Sequence, residues 1–365
     1  MKVLSIFGTR PEAVKMAPVV AELRKHPTVE SRVLVTAQHR DMLDQVLDLF
    51  DIRPDHDLNI MQADQSPTEV AAEVLLRLQP VLRDERPDWV LVQGDTTTAM
   101  AAALGAFYER VKVGHVEAGL RTHDRQNPFP EEVNRVLADQ LADLCFAPTE
   151  TARRALLKEN VPAERIHVTG NTVIDALRTI VARAPEHANG RRALVPPGKR
   201  LVLVTAHRRE NFGEPLANIC AALREIAARP DVYLIYPVHP NPNVRGPVYA
   251  ALDGLPNVSL LPPLDYLEFA SLMSRAHLIL TDSGGIQEEA PGLGVPVLVM
   301  RAVTERPEAV EAGTARLVGT ASRTIVAEAS RLLDDPAAHA AMARAVNPFG
   351  DGRAAERIVS ILLKQ

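Results

Sequence analysis

Short aliphatic and β-branched runs recur along this chain, each followed by a stretch with helical spacing, and this alternation constrains the fold more than any other feature. The first set is Val3–Phe7, Arg32–Thr36, Trp89–Gln93, Lys112–Val116, Leu144–Ala147 and Ile166–Thr169. A second set follows at Leu201–Thr205, Val232–Tyr236, Val258–Leu261, His277–Thr281, Val295–Val299 and Arg316–Val318. Strands that alternate with helices form parallel sheets covered on both faces. The expected fold is therefore α/β, with two doubly wound Rossmann-like domains. Between the sets lies Ala182–Lys199, polar and rich in Pro and Gly, which reads as a linker. The boundaries that follow are 1–181, 182–199 and 200–350, with a terminal helix over 351–365 after the turn Asn347–Gly352.

At 365 residues and 46% hydrophobic content the chain can fill two cores. A net charge of -5 and a pI near 6.1 argue against a nucleic-acid or anionic-membrane partner. No run approaches the roughly 18 apolar residues of a membrane span, and MKVLSIFG is a first strand, too short for a signal-peptide core. Cys145 and Cys220 sit apart in apolar surroundings, as reduced core residues of a cytoplasmic protein do. The histidines lack metal-site spacing, so no protein-held metal is expected. No first-turn GxGxxG and no GxxxxGK[ST] is present, so neither a nicotinamide cofactor nor P-loop hydrolysis is supported.

Polar residues gather where strands end: Thr9-Arg10, Gln38-His39-Arg40, Asp95-Thr96, Glu117, Asn171, His207-Arg208-Arg209, His239, Ser283-Gly284 and Arg301. Ligands of open parallel sheets bind at these carboxyl ends, so two such rims facing each other would make an interdomain cleft. In Thr281–Thr314, Ser283-Gly284-Gly285 permits a tight turn whose free N–H groups can meet an anion, as in a nucleotide diphosphate site. Of the acids that follow, one belongs on sugar hydroxyls, since a carboxylate beside phosphate repels it; Glu289 is the choice. An ordinary turn with acids at a helix start remains the alternative.

In Phe7–Lys15, Arg10 and Lys15 flank a helix start that Pro11 suits, although Lys15 also reads as a surface lysine. His207, Arg208 and Arg209 put three donors at one strand end, which suits a pyrophosphate; a solvated helix face is the alternative. Asp95, Glu117 and Glu131 fall at or near the first domain's rim. Singly each reads as a cap or salt-bridge partner; together, buried near one another, they would push at least one pKa toward neutrality for acid–base work. His115 and His123 read as structural hydrogen-bonders. Phe269 is a candidate for stacking on a nucleobase, or else a core helix residue.

With these motifs in view, the chain resembles the non-hydrolysing UDP-N-acetylglucosamine 2-epimerases nearly end to end. The resemblance runs through FGTRPEAVKMAPVV, TAQHRDMLDQVL, DLNIM, GDTTT, GHVEAGLRT, PFPEEVNR, GNTVIDAL, TAHRREN, DSGGIQEEAP, TERPEAVEAGT and NPFGDG. It implies a GT-B-like fold with the substrate in a cleft, a terminal helix returning to the first domain, and a homodimer. It also implies that Arg10, His207, Ser283, Gly284, Glu289 and Arg306 hold UDP, with Phe269 beside the uracil. Lys15, Asp95, Glu117 and Glu131 match the catalytic set. Arg208, His239 and Gly285 join the binding set by their place at strand ends and in the glycine turn, and His207 joins the catalytic one as a donor to the leaving group.

The chemistry is coherent with that set. C2 of an N-acetylhexosamine has no adjacent carbonyl to acidify its proton. Loss of UDP solves this, because positive charge growing at C1 acidifies C2–H and leaves a 2-acetamidoglucal. The chain departs from substrate-activated relatives over Gln62–Pro67, where Asp64 stands near an expected basic residue, and at Asp41. Both acids disfavour a second anionic ligand, so weak substrate activation is expected. Gln93 replaces a common histidine, and Gln126-Asn127 a usual aromatic–serine pair. The alternatives are a hydrolysing 2-epimerase, a GT-B glycosyltransferase and a catalytically silent nucleotide-sugar sensor.

Overall fold

The computed structural model describes residues 1–37, 40–62, 64–187 and 195–365, with side chains for all of these except 40–42 and 184–187. Gln38 and His39 of the second strand end, the Asp41 side chain and the middle of the expected linker lie outside the described residues. Contacts divide the chain into two compact units: Met1–Ala176 with Phe349–Gln365, and Leu177–Pro348.

The first unit is built on β1 (Lys2–Phe7), β2 (Glu30–Val35), β3 (His56–Asp57), β4 (Trp89–Gln93), β5 (Lys112–Val116), β6 (Leu144–Ala147) and β7 (Ile166–Val168). They form one parallel sheet in the order β3-β2-β1-β4-β5-β6-β7. The second unit holds β8 (Arg200–Thr205), β9 (Val232–Pro237), β10 (Val258–Leu261), β11 (Leu278–Thr281), β12 (Val297–Val299) and β13 (Ala315–Leu317), ordered β10-β9-β8-β11-β12-β13. Both are doubly wound Rossmann-like sheets, the α/β class the sequence implies. β4, β6, β11 and β12 are buried at every position, the signature of strands with helices on both faces. β12 starts later than the apolar run because Pro296 has no N–H for the ladder.

In each sheet the strand order reverses once, between β1 and β4 and between β8 and β11. Crevices open at such switch points, beyond the strands' carboxyl ends. Gly8-Thr9-Arg10 and Asp95 leave the first of these, His207-Arg208 and Asp282-Ser283 the second. The terminal helix Ala354–Leu362 belongs to the first unit. Its first free N–H groups, those of Ala354 and Ala355, reach the buried Asp175 carboxylate at 3.2 and 2.9 Å. Phe349 accepts from the Asn171 N–H at 2.6 Å. No described helix is long and apolar enough to cross a membrane.

Candidate active site

In the first unit the chain leaves β1 through Gly8, where a Cβ would fall 2.0 Å from Thr36 Oγ1, so only glycine fits. Glu12, buried in the first turn of the helix Arg10–Leu23, accepts from the N–H groups of Gly8 and Thr9 at 3.0 and 2.7 Å. It also accepts from Thr96 Oγ1 at 2.6 Å, which ties the β1 and β4 exits together. Burial raises its pKa against these hydrogen bonds. Arg10 opens the helix half-exposed, and Lys15 lies farther along it with its side chain 20% exposed.

Lys15 Nζ is 2.5 Å from Glu117 Oε1. The same oxygen accepts from Asn171 Nδ2 at 2.8 Å, and Oε2 accepts from Gln93 Nε2 at 2.5 Å. Glu117 is thus gripped by one cation and two amides at the end of β5. Its φ of +70° is left-handed backbone, uncommon for a side chain of this size and typical of functional positions. Asp95 is half-exposed; its carboxylate pairs with the Arg135 guanidinium and its carbonyl oxygen accepts from Asn134 Nδ2 at 3.1 Å. Both partners sit on the helix Glu131–Leu141, which Glu131 opens half-exposed. Its neighbour Glu132 is buried and accepts from the N–H groups of Thr122 and His123 at 3.1 and 2.8 Å. The two adjacent acids therefore differ: Glu132 is buried and holds a loop, and Glu131 is half-exposed.

In the second unit Asp282, fully buried at the end of β11, organises the turn after β8. Its Oδ2 accepts from the N–H groups of His207 and Arg208 at 2.9 and 2.8 Å and from Asn211 Nδ2 at 2.9 Å, while Oδ1 stands 3.8 Å from His207 Nδ1. The His207 ring stacks on His239, with centroids 5.5 Å apart. Burial, with His239 and Arg208 alongside, lowers the His207 pKa against the pull of Asp282. An added Cβ on Gly284 would lie 3.7 Å from the Arg208 guanidinium, which places Arg208 over the Ser283-Gly284 turn.

Glu288 is buried and pairs with Arg306, whereas Glu289 is half-exposed, beside Gly285 and 3.3 Å from the Tyr266 hydroxyl. Phe269 lies one turn beyond Tyr266 on the helix Tyr266–Arg275 and is half-buried. Arg301 is buried and clamps two loops, with Glu210 at 2.6 Å on one and Glu305 at 2.6 Å on the other. It holds the Glu305 carboxyl down to about 2. Lys15, Glu117, Asp95 and Glu131 thus lie at one sheet's rim, and His207, Arg208, His239, Ser283, Gly284, Gly285, Phe269, Glu289 and Arg306 at the other's. Glu12, Asn171, Asp282 and Arg301 support them without having been singled out as site residues. Their only sequence signal was a place at a strand end or helix start. Among the described residues no group of His, Cys, Asp or Glu could hold a metal ion.

A family model for UDP-N-acetylglucosamine 2-epimerase matches residues 21–363. A UDP-N-acetylglucosamine 2-epimerase of Salmonella typhimurium is 57% identical over 369 residues, covering 99% of this chain and 98% of that protein. The crystal structure of the Neisseria meningitidis UDP-GlcNAc 2-epimerase bound to UDP-GlcNAc superposes with a TM-score of 0.89 at 50% identity, covering 100% of both chains. That of the Methanocaldococcus jannaschii enzyme in complex with UDP-GlcNAc and UDP gives 0.79 at 36% identity, again covering 100% of both.

Proposed function

The chain belongs to the UDP-N-acetylglucosamine 2-epimerase family, and from that premise we propose that it interconverts UDP-N-acetylglucosamine and UDP-N-acetylmannosamine without hydrolysis. The observation that carries the reading is the carboxylate set of the first unit. Asp95, Glu117 and Glu131 leave neighbouring strand and helix ends, and Glu117 is held by Lys15, Gln93 and Asn171.

The reaction starts as the C1–O bond breaks and its electron pair leaves with the β-phosphate oxygen. A carboxylate takes the C2 proton, the C–H electrons form the C1=C2 bond, and 2-acetamidoglucal remains beside UDP. Return of a proton to the opposite face of C2, with UDP oxygen re-adding at C1, gives the manno epimer. Two faces need two acid–base groups or a sugar that turns over, and three carboxylates are present. In this reading the first unit supplies them. The second unit supplies His207, Arg208, the Ser283-Gly284-Gly285 turn and Arg306 for the diphosphate, Glu289 for the ribose and Phe269 for the uracil; Arg10 adds a further cation. Donors fixed before the reaction stabilise the leaving group without reorganising. The protein is read as a homodimer, for which exposed Leu76, Phe107 and Tyr108, on two helices that pack together, supply apolar surface.

Incubation with UDP-N-acetylglucosamine in heavy water tests the reading. The expected result is a second UDP-sugar on anion exchange, carrying deuterium at C2. Free UDP with N-acetylmannosamine would make the enzyme hydrolysing, and unchanged substrate would leave a sensor or transferase.

A further inference from the structure

The first unit buries charges that the proposed reaction does not use. His115 on β5 and Asp139 on the helix Glu131–Leu141 both have fully buried side chains. His115 Nδ1 is 2.6 Å from Asp139 Oδ1, and Nε2 is 2.7 Å from the carbonyl oxygen of Gly94. The carbonyl can only accept, so Nε2 carries a hydrogen. Asp139 already faces a cation, Arg121, at 2.7 Å from Oδ2, and so presents a carboxylate to Nδ1. Both ring nitrogens are then donors, and the ring is an imidazolium.

The surroundings balance that charge. Arg121 pairs also with Glu159 at 2.7 and 2.6 Å, and Asp139 Oδ2 accepts the Gly119 N–H at 3.2 Å. From β6 comes Cys145, its Sγ 3.7 Å from the Asp139 carbonyl oxygen and its thiol pushed up by burial. Two cations thus meet two carboxylates, the arrangement that buried charge requires. Burial opposes the charge on His115, but Asp139 and the Gly94 carbonyl outweigh it and raise the pKa.

What the imidazolium holds is the residue before Asp95. Gly94 has a φ of +71°, and its N–H donates to the Val116 carbonyl oxygen at 3.0 Å. His115 Nε2 fixes the other side of this turn. The Glu131 helix grips the turn by a second route, through Asn134 and Arg135 on Asp95 itself. We propose that His115 is a positioning residue for the epimerisation: held charged by Asp139, it fixes the Gly94 carbonyl and so sets where Asp95 stands. The proposal rests on Asp95 being one of the catalytic carboxylates.

Two substitutions separate this role from a purely structural one. The amide nitrogen of glutamine reaches about where Nε2 lies and keeps the donor to Gly94; that of asparagine reaches about where Nδ1 lies and keeps only the bond to Asp139. His115→Asn is expected to lower kcat by about 10- to 100-fold while KM and UDP affinity stay within about 2-fold, and His115→Gln to recover most of the loss. Equal rates in the two variants, or losses that follow the melting temperature, would overturn the proposal. Should neither variant fold, ring nitrogen-15 shifts of the wild-type protein decide. Hydrogens on both nitrogens at neutral pH support the imidazolium, and a bare Nδ1 refutes it. Wild-type turnover measured alongside tests the epimerase reading separately.

Discussion

At the scale of single residues, the carboxylates of the first unit differ in how they are held, and that decides what their removal should do. Glu117 accepts from Lys15, Gln93 and Asn171, Asp95 pairs with Arg135, and Glu131 is half-exposed at its helix start. In the proposed reaction Asp95→Asn, Glu117→Gln and Glu131→Gln keep shape and remove a candidate base, so each should cut turnover by about 100-fold or more with little change in UDP affinity. Near-normal turnover in one variant would strike that residue from the set. The two adjacent glutamates of the second unit offer a sharper contrast. Glu289→Ala should weaken UDP binding by about 1–3 kcal/mol in calorimetry, the scale of a lost charged hydrogen bond. Glu288→Ala instead removes the buried carboxylate that pairs with the partly buried Arg306 guanidinium, so it should lower the melting temperature as well. Sequence reasoning chose Glu289 on electrostatic grounds; the burial of Glu288 was not legible, because Arg306 lies 18 residues away.

At the scale of elements, the terminal helix bears on the first unit's chemistry through a glycine contact. Gly170, at φ +89°, sits in backbone that strains any side chain, and a Cβ would also be crowded, 3.3 Å from Gly350 Cα and 3.4 Å from the Phe349 carbonyl oxygen. The same Phe349 oxygen holds the Asn171 backbone, and the Asn171 side chain holds Glu117. Gly170→Ala should therefore cost about 1–3 kcal/mol of stability, from strain and crowding together, and lower kcat beyond what unfolding explains. Urea titration and steady-state kinetics measure the two. In the second unit, His277 just before β11 stacks on His339 with ring centroids 4.0 Å apart, and burial, with His339 alongside, lowers the His277 pKa to about 4. Its folded pKa lies below its unfolded one, so the unfolded chain binds the extra proton first. Stability from this site should be complete above about pH 6.5 and fall progressively toward pH 4. Melting curves across that window should show the loss, and His277→Phe should flatten it.

At the scale of the whole molecule, the resemblance implies a second site for an anionic ligand near Asp64 and Asp41, and these two acids lead us to propose that substrate activation is weak. Initial rates against UDP-N-acetylglucosamine should thus be hyperbolic, and conversion from the manno epimer should begin without added substrate. Strongly sigmoidal curves would show that activation survives the two acids. The alternating pattern of the sequence determined the fold class and the strands, because a buried parallel strand needs a continuous apolar run that can be read locally. It missed β3, whose two residues are too few to carry any periodicity. The motifs determined which residues to suspect, since glycine turns and polar strand ends follow from neighbours in the chain. Only the tertiary structure decided how those residues are held: Lys15 on Glu117 across 102 positions, Asp282 under His207 across 75, and Asp139 on His115 across 24. Such pairings depend on strand order and on what is buried, which no spacing along the chain encodes.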